Sequence, residues 1–286
     1  MRETTTIPER ALPRRTVYFR APLRRANLQY SVRMRPSSAQ AAQRLIASYI
    51  LDHHEGHSGI VYCLSRKDTH TMADALAQHS SGRIRTGVYH SDLDEAEKHR
   101  VHAQWRTGAI QVVCATIAFG MGIDKGDVRF VVHACISKSL EGYYQETGRA
   151  GRDGAPSDCV LLYRAAADMS RVSGMTASEA GAQAKLHAML RYAQSELCRQ
   201  SILATYFDEP RTEPCGVCDR CQSPPPRHAD VSVWAAHAVQ VVSDVYARGS
   251  RITLAALADA VYAAAKSDAA LSRVDCECLV VQLVLD

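Results

Sequence analysis

The chain has 286 residues, of which 47% are hydrophobic, 22% charged and 6% aromatic, with a formal net charge of +4. At about 150 residues per domain this length holds roughly two cores, and the balance is that of a folded chain rather than a disordered or collagen-like one. No apolar run approaches the roughly 18 residues of a membrane span, and the Arg-rich start lacks the apolar stretch of a secretory signal, so membrane and secreted readings fall away.

Residues 1–35 carry nine Arg and two Glu, a local +7 that leaves −3 for the remainder. This basic linker arm attracts phosphates, although a solvated leader carries the same charge. From Pro36 to Tyr163 short β-rich runs alternate with helical patterns, the signature of βαβ units in a parallel sheet. Ser37 and Gln40 form a capping-box pattern ahead of a helical face with Leu45, Ile46, Tyr49 and Ile50. Ile60–Leu64 is a continuous apolar run, as in a strand buried on both faces. A helix with Met72, Ala73, Leu76 and Ala77 follows, then a strand at Thr86–Tyr89 and an acidic helix start at Asp92–Glu97 that suits the positive end of a helix dipole. Strands at Gln111–Ala115 and Arg129–His133, a helix with Tyr143, Tyr144 and Gln145, and a strand at Cys159–Tyr163 bring the expected strands to five.

Beyond Arg164 the strand signal stops. A helical stretch with Leu186, Met189, Leu190, Ala193 and Leu197 leads into a cysteine cluster, and Pro224-Pro225-Pro226 reads as a stiff linker to a third unit beginning near Ala229. In that unit Trp234, Ala238, Val241, Val242 and Val245, then Leu254, Leu257 and Val261, recur at helical spacing and read as core. The domains expected are a basic linker arm at 1–35, an α/β unit at 36–165, a helical cysteine-bearing unit at 166–228 and a further segment at 229–286.

Ten cysteines in a chain with no secretory signal are too dilute for a disulfide framework. Cys198, Cys215, Cys218 and Cys221 are spaced by 17, 3 and 3, which supplies four soft ligands for a closed tetrahedral zinc site. Pro214, Gly216 and Asp219 supply turn residues for a zinc knuckle. Chance clustering of reduced thiols is the plain alternative. An iron–sulfur run would place its fourth ligand at Pro225, so zinc ranks above it.

The segment Gln145-Glu146-Thr147-Gly148-Arg149-Ala150-Gly151-Arg152-Asp153-Gly154 sets two arginines three apart among small residues, so that both guanidiniums project the same way. Arginine's planar fork grips phosphate oxygens, and an arginine reaching a γ-phosphate stabilises charge in phosphoryl transfer. A solvated Arg-Gly turn is the alternative on spacing alone. Upstream, Val112-Val113-Cys114-Ala115-Thr116-Ile117-Ala118-Phe119-Gly120-Met121-Gly122-Ile123-Asp124-Lys125 runs a buried strand into a Thr- and Gly-rich loop.

Together with Gly59–Arg66, Tyr89-His90, Phe19–Asn27 and the four-cysteine spacing, these segments resemble the second RecA-like domain and zinc-binding domain of a RecQ-family DNA helicase of superfamily 2. The likeness covers residues 17–228 closely and 229–286, as the start of a winged helix, more loosely. The fold it implies is an α/β RecA-like parallel sheet, then a helical zinc-binding subdomain and a partial winged-helix segment. Arg149 and Arg152 correspond to the arginines that reach ATP, with Arg152 as the finger on the γ-phosphate. Gln145 would couple nucleotide to DNA, Asp124 would line the nucleotide cleft, Thr116 would hold a DNA phosphate, and Ser65, Arg66 and His90 would follow the single-stranded backbone. Each has a structural rival: Ser65 and Thr116 as helix caps, His90 as a satisfied loop histidine, Asp124 as a turn former.

Three residues depart from the family pattern. Tyr89-His90-Ser91-Asp92-Leu93 stands for Tyr-His-Ala-Gly-Leu, placing a negative charge near the expected DNA track; Gly126 and Ala26 each replace a proline and should loosen their loops. The sequence also contains neither Gly-x-x-x-x-Gly-Lys-Ser/Thr nor a strand ending in Asp-Glu-x-His, the phosphate cradle and Mg2+ site of the first RecA-like domain. The expectation is therefore the C-terminal portion of an ATP-dependent 3′–5′ helicase acting on single-stranded and forked DNA. It would share ATP and Mg2+ with a first RecA-like domain, hold Zn2+, be inactive alone, and be nuclear in a eukaryotic source. The competing readings are a non-catalytic zinc-containing DNA-binding or partner-binding module and, disfavoured by the cysteines, an RNA helicase.

Overall fold

A computed structural model describes residues 23–120, 123–176, 181–209, 213–224, 229–266 and 271–285. Phe19 and the rest of the first 22 residues, Met121-Gly122 and Pro225-Pro226 lie outside the described residues. Six strands, β1 (Leu28–Met34), β2 (Ser58–Tyr62), β3 (Thr86–Tyr89), β4 (Val112–Ala115), β5 (Val128–His133) and β6 (Ser157–Tyr163), form one sheet in the order β1-β6-β5-β2-β4-β3. Every neighbouring pair is parallel. Helices α1 (Ala39–His54), α2 (Arg66–His79), α3 (Glu95–Thr107) and α4 (Leu140–Thr147) make the return crossings, except that among the described residues no helix lies between β4 and β5, which segment 116–127 joins.

The fold follows from the two-residue side-chain period of a strand. Ile60 and Tyr62 enter one apolar layer with Trp105, Tyr143 and Leu161, while Val61 and Cys63 enter the other with Ile46, Ile50, Met72 and Leu76. Both sheet faces are covered, as a parallel sheet requires. Gly59 has no room for a side chain, because a Cβ there would meet the Phe130 ring at 2.1 Å.

Two local expectations are corrected. The cap of α1 is Ser38, whose side chain accepts from the Ala41 amide, so the Ser37–Gln40 box does not form. Leu28–Met34, read as the end of the basic arm, is instead an edge strand paired with β6, which raises the strands from five to six. Its alternation of Leu28, Tyr30, Val32 and Met34 with polar residues is the period of a half-buried strand, and the arginine density around it obscured that pattern.

Past the sheet come α5 (Ala165–Thr176), α6 (Ala182–Gln194), α7 (Arg199–Tyr206) and α8 (Asp219–Gln222). Leu186, Met189, Leu190 and Ala193 are buried as expected, but α6 ends before Leu197, which is exposed. The edge of β1 is closed by this unit: Asp219 Oδ2 accepts from the Val32 amide at 3.1 Å and Gln200 Nε2 donates to the Leu28 carbonyl at 3.0 Å. Covering an edge in this way removes a template for unwanted pairing. Finally α9 (Ser232–Ala247), α10 (Leu254–Ala265) and α11 (Arg273–Leu285) gather around Ala238, Leu257, Ala258, Val261, Cys276 and Val280. Val242, expected in that core, is exposed, whereas Trp234 and Val241 pack at its margin. An Arg164–Glu277 ion pair at 2.7 Å ties α11 to the start of α5. Among the described residues no helix is long and apolar enough to cross a membrane.

Candidate functional site

Parallel sheets offer ligand sites at the carboxyl ends of their strands. Ser65 follows the end of β2, His90 follows β3 and Thr116 follows β4, and these strands are neighbours, so the four residues expected to track DNA share one edge of the sheet. Ser65 caps α2 through a reciprocal box with Asp68, each side chain accepting from the other's amide at 3.2 Å. The helix-cap role is thus present, and it aims the first turn of α2 at this edge. Thr116 Oγ1 accepts from the Ala118 amide at 3.4 Å, a local turn contact. His90 is 6% exposed, and its Nε2 faces His70 Nε2 at 2.9 Å. Burial, and then the neighbouring His70, push the His90 imidazole below its ordinary value, which keeps it neutral near pH 7. Arg66 does not stand alone: it is ion-paired with Asp92, the residue that departs from the family pattern.

The arginine-bearing turn lies at the other edge, between the end of α4 and the start of β6. Arg149 donates to the Gly120 carbonyl and Arg152 donates to the Ile123 carbonyl at 2.7 Å. Both guanidiniums therefore reach the same loop, yet they differ in exposure. Arg149 is buried beside Tyr62, whereas the Arg152 side chain is 38% exposed, with its Nη1 3.5 Å from a carboxylate of the open Asp124, itself 95% exposed. Gln145 is exposed on α4, while the adjacent Glu146 is buried, accepting from Ser137 Oγ at 2.6 Å and contacting His133 Nε2 at 2.7 Å. Residues 116–120 therefore lead from Thr116 on the strand-end edge to Arg149, and residues 123–124 bring the Ile123 carbonyl and Asp124 to Arg152.

What sequence reasoning missed is the clamp on this turn. Arg25 donates to the carbonyls of Gly148 and Gly151, and Asn27 Nδ2 donates to those of Gly151 and Ala155, each at 2.9 Å. Gly151 adopts a positive φ of +53°, and a Cβ there would stand 2.5 Å from Asn27 Nδ2 and 2.8 Å from the Ala155 carbonyl. Only glycine accommodates that conformation next to those neighbours. The clamp spans more than 120 residues and ends on backbone carbonyls, so no side-chain pattern announces it.

The thiols of Cys198, Cys215, Cys218 and Cys221 lie within 4.8 Å of one another. A tetrahedron of thiolates with Zn–S bonds of about 2.3 Å has edges of about 3.8 Å. Cys215 and Cys221 are 3.8 Å apart and Cys218 and Cys221 3.5 Å apart, so the donor set fits zinc. Burial alone would push Cys198 up, but hydrogen bonds from Ser201 and the Cys215 amide bring it down to about 6, whereas burial pushes Cys215 up to about 12. The site is braced by Arg199, whose guanidinium makes two bonds to Asp219 at 2.9 and 3.0 Å and also reaches the Tyr192 carbonyl. Arg199 was not singled out from sequence, and Asp219 was read only as a turn residue of the knuckle; their positions directly after Cys198 and Cys218 are the signal for the brace.

A doubly wound parallel sheet followed by a helical four-cysteine unit defines an α/β RecA-like domain joined to a metal-binding domain. Residues 40–154 match the helicase conserved C-terminal domain family and residues 164–222 match the RecQ zinc-binding family. The chain is 39% identical over 274 residues to ATP-dependent DNA helicase Q-like 2 of Arabidopsis thaliana, covering 94% of this chain and 38% of the relative. It is 44% identical over 206 residues to ATP-dependent DNA helicase Q1 of Rattus norvegicus, covering 71% and 32%. It is 36% identical over 230 residues to ATP-dependent DNA helicase RecQ of Haemophilus influenzae, covering 79% and 35%. The chain thus spans about a third of the length of these curated relatives. It belongs to the RecQ helicase family, in the part that comprises the helicase C-terminal and zinc-binding domains.

Proposed function

We propose that this chain supplies the C-terminal portion of an ATP-dependent 3′–5′ DNA helicase that unwinds duplex DNA in repair, recombination or replication. The observation that carries the reading is loop 116–127. Its start lies on the strand-end edge, its carbonyls at Gly120 and Ile123 hold Arg149 and Arg152, and its end places Asp124 beside Arg152. A nucleotide-dependent shift of Arg149 is therefore transmitted from the Gly120 carbonyl along residues 116–120 to Thr116.

Arg152, the more exposed of the two, is the finger on the γ-phosphate, and Arg149 holds the loop while adding positive charge to the ATP cleft that Asp124 lines. Gln145, exposed on α4, couples nucleotide to DNA. Ser65, Arg66, His90 and Thr116 follow single-stranded DNA at a fork. ATP and Mg2+ are shared with a first RecA-like domain. Cys198, Cys215, Cys218 and Cys221 hold Zn2+ as a structural ion with no open coordination position. The RecA-like unit corresponds to about residues 36–165 together with β1, the zinc unit to 166–228 and a winged-helix segment to 229–286; in a eukaryotic source the site of action is the nucleus.

The test is ATP turnover by the zinc-loaded chain with single-stranded DNA, alone and then mixed with a separately made first RecA-like domain of a related helicase. The expected result is turnover only in the mixture, falling about 10³-fold for Arg152→Ala. Robust DNA-stimulated turnover by the chain alone would refute the half-motor assignment. DNA binding without turnover in either arrangement would favour the non-catalytic zinc-containing module.

A further inference from the structure

Arg66 opens α2 immediately after its Ser65 cap, and Asp92 sits in the turn between β3 and α3, so their ion pair joins two separate strand ends. The turn that presents Asp92 is fixed on both sides. His90 is held to His70, which lies one helical turn along α2 from Arg66, and the Leu93 amide closes the turn on the His90 carbonyl at 3.3 Å. The carboxylate is itself oriented, because Oδ1 accepts from the Ser91 hydroxyl at 3.1 Å while Oδ2 accepts from Arg66. The Arg66 and Asp92 side chains remain 58% and 54% exposed, so a ligand reaches them without any opening of the core.

A carboxylate and a phosphate offer a guanidinium the same paired oxygens. We propose that Asp92 occupies the phosphate position on Arg66, so that single-stranded DNA engages this cation only by displacing the chain's own carboxylate. Asp92 is in this sense a specificity-determining residue that lowers affinity for the backbone at one contact. The proposal rests on the strand-end track described under the proposed function and adds to it a built-in competitor. Asp68, the other carboxylate near Arg66, is already engaged by the Ser65 amide and by Arg171 at 2.7 Å, so it is not the competitor. An exposed ion pair is weak, which makes exchange for a phosphate feasible and sets its scale.

The test is binding of a fluorescently labelled oligothymidylate by the zinc-loaded chain across a salt series, with Asp92→Asn, Arg66→Ala and the double variant. Asn preserves the shape and the Ser91 contact, and a thermal melt verifies that each variant is folded. The expected result is about two- to five-fold tighter binding for Asp92→Asn at low salt. Its log–log salt slope should steepen by about 0.7, the signature of one added single-strand phosphate contact. The gain should vanish in the double variant. A gain that persists without Arg66 would show only a change in overall charge and would overturn the proposal. It would likewise fail if Asp92→Asn bound no tighter while Arg66→Ala bound more weakly, because Arg66 would then already be free for phosphate. Binding indifferent to all three variants would remove the DNA-track reading itself, and the competitor with it.

Discussion

Strand residues Ile60, Val61, Val112, Val113, Val131 and Leu161 are fully buried in the layers of the sheet, whereas α8, the helix beside the cysteine cluster, buries none of its four residues. The sheet draws its stability from many dispersed apolar contacts, no one of which decides the fold. The turn from Cys215 to Gln222 instead draws its order mainly from the four-thiol cluster and the Arg199–Asp219 pair. Perturbation should therefore be gradual in the first region and abrupt in the second.

Removal of zinc is the largest test of that contrast, since metal binding to such a site contributes on the order of 10 kcal/mol to folding. Chelation, or Cys218→Ser, is expected to abolish amide hydrogen-exchange protection in α8 and to weaken it in α7, which also buries Leu203 and Ala204, while β2, β4 and β5 stay protected. Protection that survives in α8 after the metal is gone would break the comparison, because it would mean that apolar packing alone holds the unit.

Next in size is Arg199→Ala. The arginine is buried and satisfies Asp219 and the Tyr192 carbonyl together, so its loss leaves an uncompensated carboxylate and should cost about 3–5 kcal/mol in urea unfolding. Because Asp219 also accepts from the Val32 amide, the loosening should extend to the edge of β1 and not to β3 at the far side of the sheet. Equal loosening of both edges would show that the two regions unfold as one.

The same contrast explains what was readable in the sequence. The parallel α/β layer was legible because runs such as Ile60–Leu64 and Gln111–Ala115 state burial on both faces directly, and the metal site was legible because thiolate chemistry fixes ligand type and spacing. The corrected features depend on partners far along the chain. Leu28–Met34 becomes a strand because β6 and Asp219 flank it, and the arginine-bearing turn is shaped by Arg25 and Asn27 gripping its carbonyls. The different exposure of Arg149 and Arg152 is also a tertiary fact, set by where loop 116–127 passes. Asp92 was visible as a misplaced charge, but its pairing with Arg66 was not.

The smallest effect compares two aspartate–arginine pairs at the flanks of β1. Burial raises the Asp168 carboxyl to about 6 despite its contacts with Arg35 and the Arg164 amide. Burial also pushes Asp219 upward, but the bonds from Arg199 outweigh it and hold that carboxyl below its ordinary value. The signs are opposite. An unfolded aspartate titrates near ~3.9, so between about pH 4 and 6 the folded chain carries the extra proton on Asp168, and its contribution to stability falls as pH rises through that window. Asp219 favours folding above about pH 4, and its contribution is lost as pH falls below that value. Lowering pH from 7 to 5 should therefore slightly strengthen the α5 end of the sheet through Asp168, with weakening of the Asp219 contact confined to more acidic solution. Urea midpoints of the zinc-loaded chain at pH 5 and 7, with and without Asp168→Asn, check this: the substitution should flatten the difference between the two pH values. If the difference survives the substitution, Asp168 is not its source, and the β1 flanks do not differ in the way their burial implies.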